Sequence, residues 1–188
     1  MYKICHTEES SSRQRELEHG LLKALGEQPY EKITLTELCR ELQLPRKTFY
    51  RYFPTKDDCL LAMIDHTLSD CNNAALTGWE GDRELKQIDL ERFFAYWRDQ
   101  EAFLNAVRDN GFRYLLLDRT TVIVDAMKEN DPPNAFARDQ VEYFIAHGLM
   151  ATVLRWHHFG FQSTPEEMAQ EFAPLMDSSR VFITRLML

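Results

Sequence analysis

The sequence predicts an all-α protein, and three observations support that prediction. Apolar residues recur at helical spacing along almost the whole chain of 188 residues. No alternating apolar and polar run bounded by turns indicates a strand. The composition, with 44% apolar residues, 28% charged residues, 7 Gly and 7 Pro, excludes a disordered or collagen-like chain. We therefore expect about nine helices around a sizeable apolar core.

The first two helices are predicted from a leucine stripe and from a capping box. The stripe runs from Leu17 to Leu25, and the turn residue Gly26 follows it. In the segment from Thr34 to Glu37, the threonine hydroxyl covers an unpaired backbone N–H while the glutamate reaches back to the cap residue. A short second helix with one buried face is expected to begin there.

The third and fourth helices are predicted from proline positions and from a second capping sequence. Pro45 suits the first helical position, because its ring already fixes a helical φ and its missing N–H has no partner there. Phe49 and Phe53 lie four residues apart, so both are expected to face the core. Pro54 ends this helix, and residues 55–58 cap the fourth.

A boundary between two modules is predicted between Cys71 and Asp82, where Asn, Thr and Gly weaken the helical pattern. The expected domains are 9–69 and 82–188. Thr164, Pro165 and Glu167 form a strong signal for the start of the last helix. Beyond the boundary, helices are expected near residues 84–99, 101–109, 112–128, 134–159 and 165–187.

Two short helices joined by a tight turn at about residues 34–53 match a helix-turn-helix, whose second helix enters the major groove of DNA. With two phenylalanines buried, the outward residues of that helix include Arg46, Lys47, Tyr50 and Arg51. From Arg40 to Lys56, five basic residues stand against one acidic residue, a local charge of +4 in a chain of net charge −8. Such residues suit phosphates and base edges, although the same pattern fits an ordinary solvated helix face.

The stretch from about Arg13 to Asp70 resembles the TetR family of transcriptional regulators. The most specific part is the pattern Thr48-Phe-Tyr-x-x-Phe53-x-x-Lys56. This chain departs from the family at Gln43, where the family usually has Gly, and at Pro45, where Ser is common. The resemblance implies an all-α fold with an N-terminal DNA-binding module and a C-terminal helical bundle. The DNA contacts that it implies are Thr36, Arg46, Lys47, Thr48, Tyr50, Tyr52 and Lys56.

Those contacts are expected to differ in kind. By the resemblance, Thr48 and Tyr50 contact the DNA backbone and thymine methyl groups, and Lys56 contacts a phosphate. The variable positions Arg46 and Lys47 usually read bases. Tyr52 is implied as a phosphate contact, but its position equally allows packing against the fourth helix.

The last two predicted helices are too apolar to be lone surface helices, so they either complete the core or pair with a second copy. In proteins of the TetR family, the two final long helices form a four-helix dimer interface. A two-fold dimer also places two reading helices about 34–36 Å apart, which matches successive half-sites. The expected interface residues are Phe144, Leu149, Thr152, Trp156, Phe172, Leu175 and Phe182.

Aromatic residues concentrate in the middle of the chain, where they either line an apolar effector pocket or fill the core. The resemblance favours a pocket for a small-molecule effector. The expected pocket residues are Phe93, Trp97, Tyr114, Tyr143 and His147.

No metal site, cofactor motif or catalytic constellation is recognised in the sequence. The four cysteines are interpreted as free thiols, no secretory signal is visible, and a cytoplasmic protein is expected. The expected function is that of a homodimeric, non-enzymatic DNA-binding regulator, a repressor that responds to an effector on a palindromic operator. An adaptor of TetR type that acts through protein contacts, and an all-helical carrier or enzyme, are the alternatives.

Overall fold

The computed structural model describes the backbone of residues 2, 5, 7–77, 87–126 and 136–186, and side chains of residues 2 and 5 and within 7–75, 89–125 and 140–175. In these residues the chain forms nine α-helices, which confirms the all-α prediction. A single turn of 3-10 helix, Tyr30–Lys32, lies between the first two of them. The helices are α1 Glu8–Glu27, α2 Leu35–Glu41, α3 Arg46–Tyr52, α4 Lys56–Ala75, α5 Leu90–Asp99, α6 Glu101–Asp109, α7 Arg113–Ala126, α8 Phe136–His158 and α9 Pro165–Leu186.

Two strands that the sequence did not predict also occur. Leu76–Thr77 (β1) pairs in antiparallel register with Gln87–Ile88 (β2). Two residues are too few for an alternating pattern to be visible in a sequence, which explains the omission. The ladder also corrects the helix expected from about residue 84, because α5 begins only after Asp89, whose carboxylate accepts the Arg92 N–H at 3.0 Å.

The capping boxes that the sequence predicted are present in both halves of the chain. At α2, Thr34 Oγ1 accepts the Glu37 N–H at 3.2 Å, and the Glu37 carboxylate accepts the Thr34 N–H at 3.4 Å. At α9, the Thr164 N–H donates to the Glu167 carboxylate at 2.8 Å and the reciprocal bond is 3.2 Å. Each box provides acceptors for two backbone N–H groups that would otherwise bond only to water at the start of a helix.

The turn of the helix-turn-helix has a strained backbone at Gln43, the position where the sequence has no glycine. Gln43 has φ +53°, in the left-handed region that L-residues disfavour. Pro45 is the cap residue of α3 and not its first helical residue, which corrects the prediction by one position. The reason is its extended ψ of 140°, so that helical geometry begins at Arg46.

The chain divides into two compact units, which we call the first unit and the second unit. The first comprises Met1–Thr67 and Ala102–Leu116, and the second comprises Leu68–Glu101 and Leu117–Leu188. The segment 102–116 therefore packs with the N-terminal helices, although the boundary expected from the sequence assigns it to the C-terminal domain.

Each unit has its own apolar core. In the first unit, Leu17, Leu21 and Phe49 are fully buried, and Gly20 of α1 lets Leu42, at the end of α2, approach closely. In the second unit, α5 packs against α8 and α9. Among the helices described, none is long and apolar enough to cross a membrane.

Candidate nucleic-acid interface

The third helix separates its aromatic residues between core and solvent. Phe49 and Tyr52 are buried, whereas Tyr50 is 47% exposed. Seven residues make about two helical turns, and the exposed positions 46, 47, 50 and 51 lie on one outer face of the helix. The exposed cations of this face, as the sequence predicted, are Arg46, Lys47 and Arg51.

Arg46 and Tyr50 support one another on that outer face. The Arg46 guanidinium donates to the Tyr50 hydroxyl at 3.2 Å and lies 5.8 Å from the ring centre. Residues four apart on a helix are neighbours, so this contact follows from their spacing. A guanidinium has five N–H donors, and the bond to tyrosine leaves several for phosphate or guanine acceptors.

The other residues expected to contact DNA lie in different environments. Thr36 is exposed in the first turn of α2, and Thr48 is half-buried in α3. Tyr52 is 5% exposed, so its burial favours the packing interpretation over a phosphate contact. Lys56, the first residue of α4, is half-buried.

The Lys56 ammonium is already bonded within the protein. It donates to the carbonyl oxygens of Tyr30 and Ile33 at 2.7 and 2.8 Å and lies 3.9 Å from the centre of the Tyr30 ring. An ammonium has three N–H donors, so these bonds use two of them and fix the direction of the third. This arrangement holds a cation at the start of α4.

Sequence reasoning missed Tyr30, which several groups of the first unit contact. Its hydroxyl donates to the Asp57 carboxylate, and its backbone N–H donates to Asn110 Oδ1 at 2.7 Å. Its ring meets the edge of Phe112 at 5.3 Å. Burial, together with the neighbouring Asp57, raises the pKa of the Tyr30 phenol, so the hydroxyl stays a donor. A tyrosine four residues before a capping box is too common a feature to have identified it.

The residues expected to line an effector pocket differ in burial and in the unit to which they belong. Trp97 is fully buried, Phe93 is half-buried, and their ring centres lie 6.5 Å apart. Burial raises the pKa of the Cys71 thiol to about 12, with a smaller opposing effect of a hydrogen bond to Trp97. Tyr114 belongs to the first unit and is 81% exposed, so it lines no enclosed site.

The two polar residues of the expected pocket form a network between α7 and α8. The Tyr143 hydroxyl donates to the Asp125 carboxylate. His147 Nδ1 lies 2.9 Å from the Tyr143 carbonyl oxygen, and its Nε2 lies 3.1 Å from Thr121 Oγ1. A carbonyl oxygen only accepts, so Nδ1 carries the hydrogen, and a neutral ring then accepts the threonine hydroxyl proton at Nε2. Two open grooves in the described residues lie on α1 and at the start of α9.

Residues of the expected dimer interface fall into two groups. Phe144 and Leu175 are 76% and 56% exposed. Leu149 and Trp156 are buried within the chain itself, where Trp156 Nε1 donates to the Ser163 carbonyl at 3.2 Å. This burial corrects their assignment, because a residue already in the core has no surface to offer a partner.

Thr152 and Phe172, which were also expected at the interface, add little exposed apolar surface. Thr152 donates to the Gly148 carbonyl oxygen of its own helix at 2.9 Å. Phe172 is half-buried with its ring centre 5.7 Å from that of Phe94. The side chain of Phe182 lies outside the described residues.

The four cysteines carry no disulfide, as the sequence predicted, with Cys39, Cys59 and Cys71 buried and Cys5 half-buried. Within the residues that the structure describes, no group of three or more His, Cys, Asp or Glu side chains is placed to hold a metal ion.

Comparison with known proteins finds a family model that matches the helix-turn-helix segment. Residues 20–63 match the family model described as bacterial regulatory proteins, tetR family. No curated protein sequence matches the chain significantly. The chain is similar to the crystal structure of a tetR-family transcriptional regulator from Streptomyces coelicolor, at 19% identity and a TM-score of 0.50, over 92% of this chain and 83% of that one. At this identity, the likeness shows the fold.

Proposed function

We propose that the chain is a DNA-binding transcriptional regulator of the TetR family, and that it acts as an effector-responsive repressor that binds a palindromic operator as a homodimer. The outer face of α3 carries this proposal. Arg46, Lys47 and Arg51 are exposed there, while Phe49 anchors the opposite face in the core. Because the helix is already held in place, its donors can enter a groove without the entropic cost of ordering the helix on binding.

Charge distribution supports specific binding over loose coating of DNA. The chain as a whole carries −8, whereas the segment from Arg40 to Lys56 carries +4. Phosphates are therefore attracted to one surface and repelled by the rest of the chain. Phosphate contacts made there set orientation, and base contacts supply sequence preference.

The DNA-binding proposal is tested by titrating the purified protein against its own upstream DNA region at two salt concentrations. A specific, salt-dependent complex is expected, and the double substitution Tyr50→Ala with Lys56→Ala should abolish it. Lys47→Ala should lower the salt slope by about 0.9, the value for one phosphate, or relax the preference at one base pair. Lys23→Ala, which removes one exposed charge from α1, is the matched control and should leave both unchanged.

Absence of a specific complex would contradict DNA binding by this chain. An unchanged complex in the Tyr50→Ala, Lys56→Ala variant would contradict the assignment of the interface to α3. The first result would favour an adaptor that acts through protein contacts.

The homodimer proposal is supported by exposed apolar side chains on the last two helices. Phe144 on α8 and Leu175 on α9 are large and exposed, and α8 and α9 pack together. Large exposed apolar residues on packed helices are typical of interfaces. Light scattering at micromolar concentration should give twice the mass of 22.2 kDa.

A charge placed on the proposed interface should dissociate the dimer. Phe144→Glu should give a monomer that binds the operator weakly, since one reading helix then contacts one half-site. Gln162→Glu adds the same charge to an exposed turn and should remain dimeric. A dimeric Phe144→Glu would contradict this placement of the interface.

The sign of regulation is tested with a reporter gene behind the upstream region of the gene for this chain. We expect lower expression with the protein than without it, and restored expression with Arg46→Ala and Lys47→Ala together. Higher expression with the protein would make it an activator. The effector response requires that a ligand bind one of two conformations more tightly. We propose that Tyr143 and His147 lie closest to it, since their network is half-buried in the second unit.

A further inference from the structure

The position of Lys56 depends on a segment that lies outside the recognition helix. Its ammonium bonds to the carbonyls of Tyr30 and Ile33. Ile33 directly precedes Thr34, the cap residue of α2. One segment of four residues therefore connects the first residue of α4 with the first turn of α2.

Asn110, which directly follows α6, holds this segment through the backbone of Tyr30. Its Oδ1 accepts the Tyr30 N–H at 2.7 Å, and its Nδ2 donates to the Ala106 carbonyl at 2.9 Å. Because both ends of the amide are bonded, its oxygen cannot turn away from Tyr30 without losing a second bond. Phe112 packs its ring edge against the same tyrosine, which adds an apolar contact at this point.

We propose that Asn110 and Tyr30 are positioning residues for operator binding. They hold residues 30–33 so that the Lys56 ammonium and the first turn of α2, with Thr36, contact phosphates at the same time. This inference rests on the proposed function, because it concerns the geometry of the same DNA-binding surface. Asn110 acts through Tyr30 and Lys56, from the end of α6.

Bonds to phosphate can be counted by their salt dependence. The logarithm of the binding constant falls with the logarithm of salt concentration by about 0.9 for each phosphate that the protein neutralises. A variant that merely unfolds part of the protein lowers the active fraction and leaves this slope unchanged. The slope therefore separates a positioning role from a structural one.

The experiment measures binding of the full-length protein to its upstream DNA fragment at four salt concentrations. Lys56→Ala should weaken binding about tenfold, as expected for the loss of a charged hydrogen bond, and should lower the slope by about 0.9. Asn110→Ala should have the same two effects. The double variant should lose no more binding affinity than Lys56→Ala alone, because both changes remove the same phosphate contact.

Two further variants control for the effects of the substitutions themselves. Asn110→Asp keeps an oxygen that can accept the Tyr30 N–H but loses the donor to the Ala106 carbonyl, so its slope should lie between those of Asn110→Ala and the wild type. Asn73→Ala makes the same truncation at an exposed position near the end of α4 and should behave as wild type. The folded fraction of every variant is measured by circular dichroism.

Three results would overturn the inference while the proposed function stands. In the first, Asn110→Ala leaves the slope unchanged although Lys56→Ala lowers it. In the second, the losses of the two single variants add in the double variant. In the third, Lys56→Ala itself has no effect on the slope. A wild-type protein that binds no specific DNA would instead contradict the proposed function, and the two failures are therefore distinguishable.

Discussion

The two units use aromatic side chains in different ways. In the first unit, the seven residues of α3 contain buried Phe49 and exposed Tyr50 side by side, so a short stretch of sequence specifies both the core and the outer face. In the second unit, Phe94 of α5 meets Trp156 of α8 and Phe172 of α9, and its surroundings come from segments far apart in the chain. A surface formed by one helix can be recognised from local sequence, whereas a site assembled from three helices cannot.

Substitution of one core aromatic residue in each unit should have the largest effect on unfolding free energy. The two substitutions should differ in their effect on operator binding. Phe49 and Trp97 are both fully buried, so each substitution by alanine should cost about 3–5 kcal/mol in unfolding free energy. Urea unfolding at fixed protomer concentration, followed by circular dichroism, measures this cost. Phe49→Ala should also abolish operator binding, and Trp97→Ala should preserve the affinity of the folded fraction.

The result for Trp97 also distinguishes a filled core from a pocket. A cost below about 1 kcal/mol would mean that its surroundings already contain empty space or collapse easily. That outcome would favour an effector cavity at this position and contradict the core role that its burial indicates.

Among the described residues, each unit contains one non-glycine residue with positive φ, and substitution by glycine should affect the stability of the two units oppositely. Gln43 is exposed with φ +53°. Relief of about 1–2 kcal/mol of strain, less about 0.5–1 kcal/mol for the added chain entropy of glycine, should stabilise Gln43→Gly by about 0.5–1 kcal/mol.

Phe161 has φ +54°, but its buried ring packs 4.7 Å from that of Trp156. Phe161→Gly should lose about 2–3 kcal/mol net, because the lost packing exceeds the relieved strain. Thermal unfolding of both variants measures the contrast. Destabilisation of Gln43→Gly would show that the side chain of Gln43 makes a contact worth more than the strain.

The fold could be predicted closely from sequence because its signals are local. Thr34 with Glu37 and Thr164 with Glu167 each form a box within four residues, and both helix starts follow from them. The outer face of α3 was predictable for the same reason. Tyr30 was not, since its importance depends on Asn110, which lies 80 positions away. Leu149 has the same apolar pattern whether it faces its own core or a partner.

Loss of either capping box should have an effect of intermediate size on unfolding free energy. Thr34→Ala and Thr164→Ala should each cost about 1 kcal/mol in unfolding free energy, because each removes a cap that the next turn cannot replace. Only Thr34→Ala should also weaken operator binding, since it frees the first turn of α2. Denaturation and DNA titration of both variants test this pair. Equal effects on DNA binding would contradict the assignment of that surface to the first unit alone.

The smallest effects should come from the buried thiols, which report local opening of each unit. Burial raises the pKa of Cys71 to about 12, and burial and then Glu18 raise the pKa of Cys59. The thiolate is the reactive form, so at pH 8 a thiol reagent should label half-buried Cys5 first and Cys59 and Cys71 only as the units open.

A raised folded-state pKa also fixes the direction of pH dependence. The stabilisation due to each protonated thiol is complete below the unfolded value of about 8.5. For Cys71 it is lost as pH rises from there towards about 12. Unfolding free energy should therefore fall in alkali, and Cys71→Ala should reduce that fall. Rapid labelling of Cys71 in the native protein would show that the core of the second unit opens far more readily than its packing implies, and would revive the interpretation of its aromatic cluster as a pocket.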